Sequence, residues 1–173
     1  VMLDHDRLTR ADLTALDRAV LDLARETDPA AIVRVGHPAV FTDRGLAVRP
    51  VLVRLLEDGR AGGAVAASMS ALQLLALDCW LAGEWDQALA FADEGLDLCR
   101  EHGYPLLVWV QRYVVALVAA ARGQDAIAGS LADECLDWAA QRGSGAVRFF
   151  GRHAQALLAL GRGDAETAFR ALT

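Results

Sequence analysis

Between Gly83 and Gly103 the apolar residues Ala88, Phe91, Ala92, Leu96 and Cys99 recur every three or four positions, one face of an α-helix. The stripe returns between Gly123 and Gly143 as Ala128, Leu131, Ala132, Cys135, Leu136 and Ala139. The two stretches, GEWDQALAFADEGLDLCREHG and GQDAIAGSLADECLDWAAQRG, share eight of 21 residues at a spacing of forty. Before, between and after them lie GAVAASMSALQLLALDCWLAG, GYPLLVWVQRYVVALVAAARG and GSGAVRFFGRHAQALLALGRG, also patterned as helices. Glycines therefore punctuate the chain in two sets forty residues apart: Gly83, Gly123, Gly163 and Gly63, Gly103, Gly143. Gly after a periodic segment supplies the left-handed residue that ends a helix. Pro105 is expected early in its helix, where no N–H donor is needed. Strands are favoured nowhere. The pattern predicts an all-α array of antiparallel helical hairpins joined by short Gly turns.

The unit blurs toward the N-terminus. Residues 1–62 read as divergent helices and 63–173 as clear repeats, together one helical-repeat domain. LTRADLTALDRAVLDLAR, from Leu8, is an amphipathic helix with Thr9 or Asp6 as candidate N-cap. A shorter helix from Pro29 to Phe41 is expected to be disturbed by Gly36 and Pro38. Val48, Leu52 and Leu56 fall in register with Ala88, Ala92 and Leu96. At the other end GDAETAFRALT covers 11 residues of an element that is 21 long in its two predecessors. The last repeat is thus expected to be truncated and the chain to be a piece of a longer one.

A helical hairpin cannot bury its own apolar face, and stacked hairpins make a continuous core. The columns Ala88, Ala128, Ala168 and Ala76, Ala116, Ala156 let helices cross closely, with Leu77, Leu117 and Leu157 beside them. Packing accounts for these columns completely.

Hydrophobic residues make up 54% of the 173 positions and charged residues 23%, enough to build a core. The net charge of −6 repels phosphate, so direct contact with nucleic acid is not expected. Every basic residue is Arg, so the lysine-dependent phosphate loop G-x-x-x-x-G-K-[ST] is excluded. Cys79, Cys99 and Cys135 share no metal-ligand spacing and read as reduced core thiols. No charged n-region with an apolar stretch and cleavage site is read at residue 1 onward, so no leader is expected, and the longest uncharged run, Ala61 to Leu77, is too short to span a bilayer. A cytoplasmic protein without membrane contact is expected.

Catalytic patterns are weak. Asp93, Glu94 and Asp97 recur as Asp133, Glu134 and Asp137, which is what a solvated outer face shows. His5, His37, His102 and His153 lack a ligand at i+4 that would make a zinc pair. Neither enzymatic activity, nor a metal, nor a cofactor is expected.

The string G-E-W-D-Q-A at 83–88, flanked by small residues, resembles the inter-helix turn of the tetratricopeptide repeat. The period of forty is longer than that family's usual 34, and Gly95 stands where the family prefers Ala. Such lengthened repeats resemble those of the large ATP-dependent LuxR-type (MalT-like) transcriptional regulators, over about residues 60–173. LLALDCWLAGEWDQALAFADEGLDL and LADECLDWAAQRG carry the likeness. The resemblance implies hairpins of period 40 stacked as a short right-handed superhelix. It also implies a middle segment between a nucleotide-binding module and a helix-turn-helix, with the first helix of each pair facing the concave side.

On that face, Gln73, Tyr113 and His153 are equivalent positions, flanked by Trp80, Trp109 and Phe149, with Arg112 and Arg152 as a parallel column. Aromatic walls and two Arg would suit an anionic small molecule or an acidic peptide. Ordinary contacts between helices use the same residue types. LLVWVQRYVVALVAAA, residues 106–121, is apolar nearly all round and must be covered on more than one side, by flanking helices, a ligand or a second subunit.

The expected function is a non-catalytic interaction and effector-sensing segment of a LuxR-family regulator. Its partners would be a protein or small-molecule effector, the other modules of the same regulator, and a second copy in a homodimer. The alternative is a purely structural scaffold mediating self-association.

Overall fold

A computed structural model describes residues 9–173. His5, Asp6 as a cap, and Leu8 as a helix start lie outside the described residues. Among the described residues nine α-helices follow one another: α1 (Arg10–Asp22), α2 (Pro29–Val40), α3 (Gly45–Arg60), α4 (Val65–Leu81), α5 (Trp85–His102), α6 (Leu107–Ala121), α7 (Asp125–Arg142), α8 (Gly145–Gly161) and α9 (Ala165–Leu172). A single 3-10 turn, Leu23–Arg25, extends α1, and the described residues include no strand.

The helix ends follow from local chemistry. Thr9 caps α1 reciprocally: its hydroxyl accepts from the Asp12 amide, and the Asp12 carboxylate accepts from the Thr9 amide at 2.9 Å. Asp28 caps α2, and Pro29 occupies the first helical position. The turns between later helices are built alike. Gly83, Gly103, Gly123, Gly143 and Gly163 all have positive φ, the left-handed conformation that glycine adopts without strain. In each, the amide just past the glycine donates to a carbonyl five residues back, as Glu84 does to Cys79 at 2.8 Å and Gln124 to Ala119 at 2.8 Å. Links of two to four residues between helices that pack along their length force them antiparallel.

Three local expectations are corrected. The first turn places its left-handed residue at Gly62, φ 99°, and not at Gly63. Pro105 lies outside α6, in a turn in which Leu107 N–H donates to the Tyr104 carbonyl. Helix α2 runs unbroken through Gly36 and Pro38. Pro38 sits in the last turn, and a Cβ on Gly36 would stand 3.1 Å from Leu74 Cδ1, so this glycine permits close packing on α4.

Each helix packs on the next in sequence, and α2, α4, α6 and α8 also pack on one another in that order. Equivalent contacts among α3, α5, α7 and α9 are slight at most. The result is an inner layer of α2, α4, α6 and α8 with the remaining helices laid against it. The small and aliphatic columns form the seams: Val48, Leu52 and Leu56, Ala88, Ala92 and Leu96, Ala128 and Ala132, and Ala76, Ala116 and Ala156 are all buried. Apolar helix α6 is covered by α4, α5, α7 and α8, so its two free-looking sides are spent on neighbours. Arginines tie the layers together at their ends. Arg122 after α6 pairs with Asp86 at the start of α5 (2.6 Å), and Arg162 after α8 with Asp125 at the start of α7 (2.8 Å). Both carboxylates also stand in the first turn of a helix, where negative charge is favourable.

No described helix is long and apolar enough to cross a membrane.

Candidate functional site

Helical spacing puts Phe149, Phe150 and His153 on the side of α8 that meets α6. There the Tyr113 hydroxyl lies 2.5 Å from His153 Nδ1. The tyrosine is almost fully buried, at 2% exposure, and its ring stacks on Phe150 with centroids 4.5 Å apart. Phe149 stacks on the other partner, its centroid 5.6 Å from that of His153. Trp80 reaches over α6 from α4 and meets the His153 ring edge-on at 6.4 Å. Three alternate helices therefore converge on a single imidazole.

Burial sets the protonation of the pair. Desolvation disfavours charge, which pushes the His153 pKa down and the Tyr113 pKa up. A neutral His153 with its proton on Nε2 accepts the Tyr113 hydroxyl at Nδ1. With both side chains neutral, the hydroxyl and the imidazole make a polar contact inside an aromatic seam. Among the described residues no group of three His, Cys, Asp or Glu side chains could hold a metal ion.

The other candidates lie elsewhere. Gln73 is on α4 but buried, at 7% exposure. Trp109 packs with Cys135 and Ala139 of α7 and with Val147 of α8, and meets Trp138 at 5.5 Å. Arg112 lies over Trp109, 5.0 Å from the ring, and donates to Glu134 of α7 at 2.7 Å. Arg152 is separate from both groups. It lines a cleft of about 540 Å³ between α7, α8 and α9 with Arg148, Arg170, Leu136, Ala139 and Ala140. The structure thus brings Trp80, Tyr113, Phe149 and His153 together, and it pairs Trp109 with Arg112. The two arginines differ in their surroundings: Arg112 pairs with Glu134 of α7, and Arg152 is exposed along the cleft.

No protein-family model and no curated protein sequence matches this chain.

Three contributors escaped the sequence reading. Phe150 was legible only as a neighbour of Phe149, and Trp138 replaces a leucine of the preceding repeat. Gln111 is the third. It is fully buried; its Nε2 donates to the Met69 carbonyl at 3.1 Å, and its Oε1 has no partner among the described residues. The polar residue in an apolar run was visible, but its depth was not.

Proposed function

We propose that this chain is a non-catalytic sensing segment of a LuxR-type regulator, built from helical hairpins of period 40 stacked as a short right-handed superhelix. It engages a protein partner or small-molecule effector in the cytoplasm and passes the signal to nucleotide-binding and DNA-binding modules. The observation that supports this reading is the convergence of Trp80, Tyr113 and His153 from α4, α6 and α8. A ligand that displaced any one of these side chains would loosen all three inner helices together. That supplies a two-state element whose equilibrium follows the ligand's differential affinity. The reading frame on either side of the chain tests it. A phosphate loop upstream and a helix-turn-helix downstream are expected; a frame with neither overturns the regulator assignment.

The second reading, a self-associating scaffold, draws on the α8–α9 edge, where Leu160, Phe169 and Leu172 are exposed. Light scattering over a concentration series separates the two. A concentration-independent monomer supports the sensing segment, and a stable dimer supports the scaffold.

A further inference from the structure

A second cleft, of about 270 Å³, lies where the link into α2, helix α3 and the start of α4 meet. Chain segments on both sides close it, Glu26–Pro29 before α3 and Gly63–Ala64 after it. Its floor is apolar: Ile32 of α2 and Leu55 of α3 line it and are buried, at 2% and 5% exposure. Pockets for drug-sized ligands measure about 300–1,000 Å³, so this one takes a single small molecule.

Two opposite charges of α3 stand beside that floor without joining. Arg54 and Asp58 both line the cleft one helical turn apart, a spacing at which unlike charges commonly pair. Arg54 is drawn instead to the end of the 3-10 turn. Its Nη1 donates to the Ala24 carbonyl at 3.2 Å and its Nη2 to the Glu26 carbonyl at 2.6 Å. The other arginines at α3, Arg44, Arg49 and Arg60, each hold a carboxylate, those of Asp17, Asp78 and Glu94. Arg54 meets only carbonyls, and among the described residues Asp58 has no ion-pair partner. Glu26 adds a second carboxylate, one oxygen of which accepts the amides of Thr27 and Asp28 at 2.8 Å each. A simple anion here would be repelled by Asp58 and Glu26, and a simple amine by Arg54. A molecule carrying both charges at one end and an aliphatic tail at the other meets every wall. We propose that this cleft binds a free aliphatic α-amino acid as its zwitterion. Asp58 receives the ammonium, Arg54 the carboxylate, and the side chain lies on Ile32 and Leu55. The site is remote in sequence from Tyr113 and His153, and the proposal is independent of the regulator reading.

The probe is L-leucine, titrated into the isotopically labelled protein and followed by its amide chemical shifts. Saturable shifts are expected at Thr27, Gly59, Gly63 and Ala64, which line the cleft. Asp58→Asn should weaken binding about fivefold, the scale of a partly exposed ion pair. Asp58 is exposed, so that variant folds; its circular dichroism melt serves as the check. Two analogues of leucine test the charges on the unaltered protein. Isoamylamine lacks the carboxylate and isocaproate lacks the ammonium, and each should bind about fivefold more weakly than leucine. Isoamylamine binding as tightly as leucine would make the cleft a cation site, and isocaproate doing so an anion site; either result overturns the zwitterion. Calcium chloride producing these shifts where leucine does not overturns it too. So do leucine shifts confined to other residues, leucine binding that Asp58→Asn leaves unchanged, or no shifts at millimolar concentration.

Discussion

A Cβ built on Gly95 of α5 would stand 2.5 Å from the Cδ of Gln111 on α6. Gly95 is therefore the vacancy into which a buried glutamine fits. Forty residues on, Gly151 of α8 stands at the position of Gln111, and a Cβ there would meet Leu136 at 2.8 Å. The pairs are matched in volume across each seam, not residue by residue along the chain.

Gly95→Ala should overpack this contact and destabilise the fold by about 1–3 kcal/mol despite the better helix propensity of alanine. Adding Gln111→Ala should recover part of that loss, because the clash and the unpaired Oε1 vanish together. Urea unfolding of both single variants and the double variant measures the coupling. Additive losses would show that the two side chains do not meet.

Tyr113→Phe removes only the hydroxyl that meets His153 Nδ1. The expected loss is about 1 kcal/mol, with the helical circular dichroism spectrum unchanged. Tyr113→Ala should cost about 3–5 kcal/mol, since the ring is buried against Phe150. Equal losses for the two variants would contradict the ring's place in the seam.

Acid should weaken the fold in the histidine range. Burial lowers the pKa of both His153 and His37 in the native state. The unfolded chain then binds protons at a higher pH than the folded one, so stability rises with pH. The contribution is complete above the ordinary value of 6.5 and is lost as pH falls through it toward the lower native values. The urea midpoint should drop between about pH 7 and pH 5. His37→Gln together with His153→Gln should flatten that slope, whatever the double variant does to absolute stability.

The three cysteines should be silent in the folded protein. Burial pushes the Cys79 thiol up to about 12 and the Cys135 thiol up to about 11, and raises that of Cys99. All three side chains are shielded from solvent, and the thiolate is the reactive species. Titration with a disulfide reagent at pH 8 should find no rapidly reacting thiol in the native protein and three after denaturation. A fast native thiol would show that a seam opens locally.

Helices, turns and much of the core could be read from the chain because they depend on near neighbours. Apolar residues at i, i+3 and i+4 share a face wherever a helix forms, and a left-handed glycine ends it whatever lies around. The buried column Val48, Leu52, Leu56 was legible for this reason even in the blurred first third. Gly36 and Pro38 were misread because a helix break and a close helix crossing use the same residue type.

The candidate site depended on distance in space. Tyr113 and His153 were visible as equivalent positions, but their hydrogen bond requires α6 and α8 to lie side by side. Arg112 and Arg152 looked alike for the same reason, and only packing with α7 gives the first a carboxylate partner, Glu134. Periodicity along the chain decides which face of a helix is apolar, since every residue carries its own angular position. Which neighbour covers that face, and whether a charge on it finds a partner, is decided by helices forty or more residues away, and only the packed structure brings those together.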